Sequence, residues 1–404
     1  MKILHVNCLT NGSTGKIIND IALYTSKLGL NHILCSPRED TENKLVKCYK
    51  TSVKYEQGLY RRINFFLGFR YGFAPISTLK ILKVIKRENP DIVHIHCINC
   101  DMVNIYKLFS FLGKNKIPTV ITNHAEFFYT GNCEHSYDCE KFKTGCGDCP
   151  NRNYATRSKL FDSSSFAWKK MYRAFHKLEN AVVTSVSPWT NSRSMLSPIT
   201  SDLPNITIIN GVNTNIFTPL SCEYLRKKHN ISEKTKIVFH ATANFSARED
   251  DLKGGRYIIR LAEQLKDENI VFIVAGPHGK ISVPKNIILL GTISDQNELA
   301  SYYSLADLTI ITSKRETFSM PVAESLCCGT PIVGFKAGGP ESITMPEFSE
   351  FFDNGNINAL REGVLKWLSK PVDKTFISKS AQKKYTSAIM SEKYFIIYKN
   401  LLLK

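Results

Sequence analysis

Long apolar runs and acidic side chains are both scarce in this 404-residue chain. No stretch of 18 or more apolar residues occurs, so no transmembrane helix is expected. The opening MKILHVNCLTNGSTG is interrupted by His5 and Asn7 and lacks a small-residue cleavage site, so it reads as a first β-strand rather than a signal peptide. A cytoplasmic protein is expected. Asp and Glu number 36 against 53 Lys and Arg, a net charge of +17, and 43% of the residues are hydrophobic. That mix excludes a disordered or fibrous chain. The length exceeds one ordinary core and suits two domains.

Two familiar glycine signatures are also missing. Asn11-Gly12-Ser13-Thr14-Gly15-Lys16 stands where a phosphate loop would, but Thr10 and Ile17 occupy positions the Walker pattern reserves for Gly and Ser or Thr. The GxGxxG dinucleotide pattern is absent. The segment is either an anion- or acceptor-touching loop at a helix start or a plain tight turn. Nor do the twelve cysteines form a disulfide framework. Eight are scattered, among them Cys8, Cys35, Cys97, Cys327 and Cys328, and read as small buried hydrophobes.

What is present alternates. Short β-branched runs at 2–9, 31–36, 91–96, 119–123, 181–187 and 206–210 are separated by helical patterns, the first from Ile17 to about Leu28. The rhythm restarts after Pro219, with strands at 236–242, 270–276, 287–291, 308–313 and 331–335 and helices near 254–267, 298–306 and 321–328. An α/β fold of two doubly wound domains follows: 1–219, interrupted by a cysteine-rich loop at 124–160, and 220–385. The helix 386–404 finds no obvious partner in its own domain and is expected to pack back on the first. Ligands of such sheets bind beyond the carboxyl ends of the strands, which points to a cleft between the domains. Charge is uneven too: residues 1–200 carry 28 basic against 15 acidic side chains, the remainder 25 against 21. This is either an attraction to an acidic partner or a solvated lysine-rich surface.

The segment from Ser313 to Phe335 carries the most chemistry. A strand ends at Ser313, Glu316 sits in the following loop, Pro321 favours a helix start, and Glu324 is expected in the first turn. The backbone amides of Phe318, Ser319 and Met320 would face the same spot. Two carboxylates beside a helix amino terminus suit a nucleotide sugar: one for ribose hydroxyls, one for a hexose, with the diphosphate at the helix end. An acidic residue that merely complements the helix dipole is the plainer alternative.

Glu316 to Glu324, within ETFSMPVAESLCCGTPIVGF, resembles the E-x7-E motif of retaining GT-B glycosyltransferases of family 4. Other stretches agree: Ile209-Asn210-Gly211-Val212-Asn213, Arg248 and Lys253 at the Arg-x4-Lys-Gly spacing, Ala306-Asp307, and Thr122-Asn123-His124. The opening Gly-Ser-Thr-Gly-Lys, Pro90-Asp91-Ile92-Val93-His94-Ile95-His96 and Thr130-Gly131-Asn132-Cys133 bring the chain closer to capsule and colanic-acid-type transferases. Ser319 departs from the family's usual glycine, and Asn123-His124-Ala125 from a commoner Leu-His-Asp.

The resemblance implies a GT-B fold with two Rossmann-like domains facing across a cleft. It implies hexose transfer with retention from a UDP- or GDP-sugar to a lipid-linked saccharide. Arg248 and Lys253 would stabilise the leaving diphosphate, so no catalytic metal is expected. Glu316 would hold the hexose and Glu324 the ribose. His124 would line the sugar pocket or be a satisfied core histidine, and Gly15, Asn244, Phe318, Ser319 and Met320 would complete the donor site. His94 and His96, alternating with apolar residues, are read as structural.

Cys133, Cys139, Cys146 and Cys149 offer four thiolates within seventeen residues, a donor set for structural zinc, with free thiols, disulfides or an iron–sulfur centre as alternatives. LYRRINFFLGFRYGF at 59–73 interleaves arginine with aromatics and suits either peripheral contact with the inner face of a membrane or a buried hairpin. A nucleotide-sugar epimerase or phosphorylase on the same fold, or a nucleic-acid-binding protein, are the rival readings. The latter leaves the paired glutamates unexplained, and no nucleic-acid partner is expected.

Overall fold

A computed structural model describes residues 1–38, 45–153 and 158–403. Residues 154–157 of the cysteine-rich loop and 404 of the last helix lie outside the described residues. The chain divides into two compact units, Met1–Ile209 with Ala388–Lys404, and Asn210–Ser387. The sequence reading had put the first division after 219.

The first unit holds a seven-stranded parallel sheet: β1 (Lys2–Val6), β2 (Asn31–Ser36), β3 (Val46–Lys50), β4 (Ile92–Ile95), β5 (Thr119–Asn123), β6 (Ala181–Ser185) and β7 (Asn205–Thr207), in the order 3-2-1-4-5-6-7. The second holds six: β8 (Lys236–Ala241), β9 (Ile270–Ala275), β10 (Ile287–Gly291), β11 (Leu308–Ile311), β12 (Ile332–Phe335) and β13 (Ser349–Phe352), in the order 10-9-8-11-12-13. Every paired neighbour is parallel. Strand order reverses between β1 and β4 in one unit and between β8 and β11 in the other. Crossover connections diverge at such a point and leave a crevice at the strands' carboxyl ends.

Buried Val, Ile and Leu on both faces make these strands near-continuous apolar runs. In β1, Leu4 and Val6 join one core with Val93 and Ile95, while Ile3 turns to the other face with Ile92, Val120 and Val182. That second face is closed by the helix Ser387–Leu402, whose Met390, Tyr394, Ile397 and Tyr398 enter the same cluster. The chain therefore leaves the first unit and returns to complete it. Val212 N–H donates to Tyr385 O (2.7 Å) and Ser387 N–H to Val212 O (3.0 Å), so the outgoing and returning segments run side by side. A β-carbon on Gly211 would meet Ser387 Cα at 2.3 Å, the physical reason a glycine stands in the Asn-Gly-Val run.

Several expectations are corrected. The first helix begins at Gly12, not Ile17. Glu324 falls in the second turn of Met320–Cys327, not the first. Of the scattered cysteines, Cys35, Cys222, Cys327 and Cys328 are buried, whereas Cys8, Cys48, Cys97 and Cys100 are half-buried. Residues 59–73 are neither a hairpin nor a uniform surface: helix Lys54–Leu67 exposes Arg61, Arg62, Phe65 and Phe66, whereas Arg70 and Tyr71 are buried. Arg70 pairs with Glu134 at 2.8 Å.

Candidate functional site

In the second unit, loops leaving β8 and β11 meet at the switch point. Gly254 sits at φ +70, and a β-carbon there would meet Thr312 O at 2.1 Å. The glycine thus lets the loop after β8 lie directly on the end of β11, where Thr312 Oγ1 donates to Lys253 O at 3.1 Å. This close approach places Lys253 beside Glu316. Its ammonium donates to Glu316 Oε1 at 2.8 Å, and Ser313 Oγ donates to the same oxygen at 2.5 Å. Burial works against the Glu316 charge, but Lys253 and Ser313 together hold its carboxyl below the usual carboxylate range.

The Glu316 backbone is fixed from the other side by the turn after β12. Its N–H donates to Ala337 O (3.0 Å), and its carbonyl accepts from Gly339 N–H (2.8 Å). Any side chain at Gly339 would strike Thr317 and Phe318. Ser319, the residue before the helix Met320–Cys327, has φ +84 and ψ +90, a conformation suited to glycine. The family's usual glycine at this place therefore has a backbone reason. Glu324 is buried on that helix and accepts from Tyr303 OH at 3.1 Å; burial first, then the carboxylate, pushes the phenol up. Phe318 is buried and Met320 half-buried.

Not every expected residue gathers here. Arg248 is exposed and pairs with Asp250 through two hydrogen bonds of 2.9 and 2.8 Å, not with Glu316. Asn244 is exposed, with Nδ2 3.4 Å from Asp251 Oδ1. Gly15 lies in the first turn of the helix Gly12–Thr25, where a β-carbon would meet the Thr10 backbone at 2.5 Å. Its smallness is explained by that contact. His240, which the sequence reading missed, is buried on β8 and donates Nδ1–H to Ile310 O (2.9 Å), while its Nε2 has no partner. Burial lowers it to about 4.

In the first unit, His124 stands at the end of β5 and meets His96 at 3.2 Å. Burial lowers it to about 3, so it is neutral at physiological pH. His5, His94 and His96 each bring a ring nitrogen within 4.8 Å of the others. Every one of those rings already has both nitrogens in hydrogen bonds, so the group is a hydrogen-bonded network as it stands.

Cys133, Cys139, Cys146 and Cys149 line one small cavity with Phe142 and Thr130. Tetrahedral zinc at a Zn–S distance near 2.3 Å sets sulfurs about 3.8 Å apart. Among the described residues no three of these thiols lie within 4.8 Å of one another, so the donor set fits but its spacing is too wide. Burial pushes the Cys133 and Cys149 thiols up and Cys146 to about 12. What holds the loop is Arg193, which the sequence reading also missed. Its guanidinium donates to Glu140 (2.7 Å) and Ser136 Oγ (2.7 Å), lies 3.4 Å from buried Glu126, and stacks on Phe142 and Trp189. A single arginine in a short polar helix carries no sequence signal for this.

Comparison with known proteins places this geometry. The family description Glycosyltransferase Family 4 matches residues 14–215, half of the chain, and Glycosyl transferases group 1 matches 223–384. The chain belongs to glycosyltransferase family 4. N-acetyl-alpha-D-glucosaminyl L-malate synthase of Bacillus anthracis is 21% identical over 84% of this chain and 81% of its own. WcaC of Escherichia coli K12, a candidate glycosyl transferase of colanic acid biosynthesis, is 20% identical over 79% and 78%. The match to D-inositol 3-phosphate glycosyltransferase of Thermobispora bispora, at 27% identity, spans only 37% of this chain and 39% of that protein. Among solved structures, a glycosyltransferase of Rickettsia africae superposes with a TM-score of 0.67 at 17% identity, over 99% and 98% of the two chains. Anabaena Alr3699/HepE, solved with UDP-glucose, gives 0.64 at 13%, over 99% and 100%. The fold of this family-4 glycosyltransferase is GT-B, with one doubly wound sheet in each unit.

Proposed function

We propose that the protein is a retaining hexosyltransferase that uses a UDP- or GDP-sugar and extends a lipid-linked saccharide of a bacterial surface polysaccharide. The observation that carries the reading is the Lys253–Glu316 pair at the β8/β11 switch point, with Glu324 on the adjoining helix. HepE with UDP-glucose supports the donor class, and WcaC supports a polysaccharide product. Glu316 accepts from hexose hydroxyls and Glu324 from the ribose. Lys253, joined by Arg248 once it exchanges Asp250 for phosphate, stabilises charge growing on the leaving diphosphate. The bond from the anomeric carbon to the diphosphate breaks and a bond to the acceptor oxygen forms on the same face. The acceptor's hydroxyl proton passes to a phosphate oxygen of the departing nucleoside diphosphate. A zinc ion at Cys133, Cys139, Cys146 and Cys149 would draw these thiols together; purified protein without bound zinc by elemental analysis removes that part of the proposal.

A thermal-shift panel of UDP, GDP, ADP and dTDP with their hexose conjugates tests the donor assignment. Ligand at 100 times its Kd adds about 2.7 kcal/mol. One nucleotide is expected to stabilise the wild type and not Glu324→Ala. Equal shifts in both would remove Glu324 from the ribose site, and no shift with any nucleotide would overturn the transferase reading.

A further inference from the structure

Two strands of the first unit carry a thiol just past their ends. Leu4, Val6 and Cys8 follow one face of β1, and Val93, Ile95 and Cys97 the same face of β4. Pairing continues beyond both strands, since His96 N–H donates to Val6 O (3.0 Å) and Cys8 N–H to Cys97 O (2.8 Å). Cys8 and Cys97 therefore stand side by side where strand order reverses. The chain then bends at Asp101, with φ +56, and Cys100 packs against the same core. The Cys8 thiol is hydrogen-bonded to those of Cys100 and Cys97, and all three are half-buried. A packing role suits the buried Cys35, Cys327 and Cys328, but not three half-buried thiols in contact.

Asn99 sorts the three. Its Nδ2 donates to Glu134 Oε1 (2.8 Å), a carboxylate oxygen that accepts, and this turns Oδ1 towards the thiols. Cys97 Sγ lies 3.0 Å from that Oδ1 and Cys8 Sγ 3.9 Å, so the Cys97 proton is committed to Asn99. Cys100 is left as the thiol that donates to Cys8. Its hydrogen bond is the largest influence holding the Cys8 thiol well below the usual range, against burial and the charge of Glu134. The same contact pushes Cys100 up. A half-exposed thiol held low beside a second, protonated thiol has the surroundings of a peroxide-reactive cysteine. Among the described residues these three sulfurs form no group within 4.8 Å, a spread too wide for one metal ion.

We propose that Cys8 is a modification site for hydrogen peroxide, with Cys100 as its resolving thiol, and that the disulfide they form ties the end of β1 to the loop after β4. The Cys8 sulfur attacks peroxide: an S–O bond forms, the O–O bond breaks, and the departing hydroxide takes up a proton to leave as water. Sulfur is oxidised and peroxide reduced. The Cys100 sulfur then attacks Cys8. The S–S bond forms, the S–O bond breaks, and hydroxide leaves as water with the Cys100 proton. The tether lies at the switch point of the first sheet, where open α/β sheets take their ligands. It follows from the first unit alone and does not depend on the glycosyltransferase reading.

The test uses the full chain, freed of reductant, treated with hydrogen peroxide for graded times, blocked with N-ethylmaleimide and mapped by mass spectrometry without reduction. Cys8–Cys100 is expected as the first linkage, reversed by dithiothreitol. Its formation is expected to be about tenfold faster than oxidation of half-buried Cys48. In Cys100→Ser, Cys8 is expected to persist as a sulfenic acid that dimedone traps, and Cys97→Ser is expected to keep the Cys8–Cys100 linkage. Asn99→Leu, which releases the Cys97 proton, is expected to give Cys8–Cys97 as well. A wild-type Cys8 that oxidises no faster than Cys48 overturns the proposal. So does a wild-type Cys8 that links first to Cys97 or to a second copy of the chain. The wild-type map decides by itself should a variant fail to fold.

Discussion

Ser319 shows how one residue can work against its own backbone. At φ +84 it sits where a side chain costs on the order of 1–3 kcal/mol, directly before the helix that carries Glu324. Ser319→Gly is therefore expected to raise stability by about 1 kcal/mol in urea unfolding, after the extra freedom glycine gives the unfolded chain. The same change removes a buried hydroxyl that has no hydrogen-bond partner, a second gain in the same direction. A destabilised Ser319→Gly would contradict this. The paired glutamates were legible because strand end, loop and helix start follow one another within one short stretch of sequence. The Lys253–Glu316 contact, 63 residues apart, was not legible: the family spacing set Lys253 on the diphosphate and Glu316 on the hexose without pairing them. The hydrogen bonds of His5 with His32 and His96, and of His96 with His124, were not legible at all: they join residues 27, 91 and 28 apart, and alternation along 92–96 said only that His94 and His96 share a face.

Among the elements, the fully buried strands were the plainest in sequence, and of the four edge strands β7 and β10 were read while β3 and β13 were not. β3 and β13 stand at sheet edges, and their mixed runs VKCYK and SEFF show no continuous apolar signal. Helix Lys54–Leu67 splits the aromatic-basic segment in two. Its exposed Phe65 and Phe66 adjoin exposed Leu160 and Phe161, joined by Lys159 N–H to Phe65 O (2.9 Å) and Phe161 N–H to Phe66 O (3.3 Å). Arg61 and Arg62 are exposed on the same helix. Rings entering a headgroup layer with arginines on phosphate would bind this element to an anionic surface. Replacing Arg61, Arg62, Phe65 and Phe66 by serine is expected to abolish co-sedimentation with anionic vesicles; undiminished co-sedimentation removes the membrane from the proposal. Arg70 belongs in no such test, since it is buried against Glu134 and its loss would take the cation from that half-buried carboxylate, leaving it with Asn99.

At the scale of the whole molecule the two units should answer acid differently. His5, His32, His94, His96 and His124 of the first unit are all depressed by burial, and they face the hydroxyls of Thr25, Thr122 and Tyr398. Below pH 6.5 the unfolded chain takes up protons that these rings refuse when folded, so stability falls as pH falls. The slope is at most roughly 1.4 kcal/mol per pH unit for each ring. Asp20, raised by burial to about 6, opposes this by binding a proton in the folded state. The second unit has His240 and, more weakly, His229. Hydrogen exchange, corrected for intrinsic rates, is expected to show protection lost first from the first unit between pH 7.5 and 5.5. Equal loss in both units would contradict this.

The return of the last helix also bears on how the protein is made. During synthesis, residues 210–387 can close their sheet while the first unit still lacks Met390, Tyr394, Ile397 and Tyr398 over one face. The unit begun before the second is thus completed only after it, and its uncovered strand face must be kept from other nascent chains until the helix Ser387–Leu402 leaves the ribosome. Translation arrested before residue 388 is expected to yield chaperone-bound or aggregating chains in which protease-resistant structure is confined to the second unit.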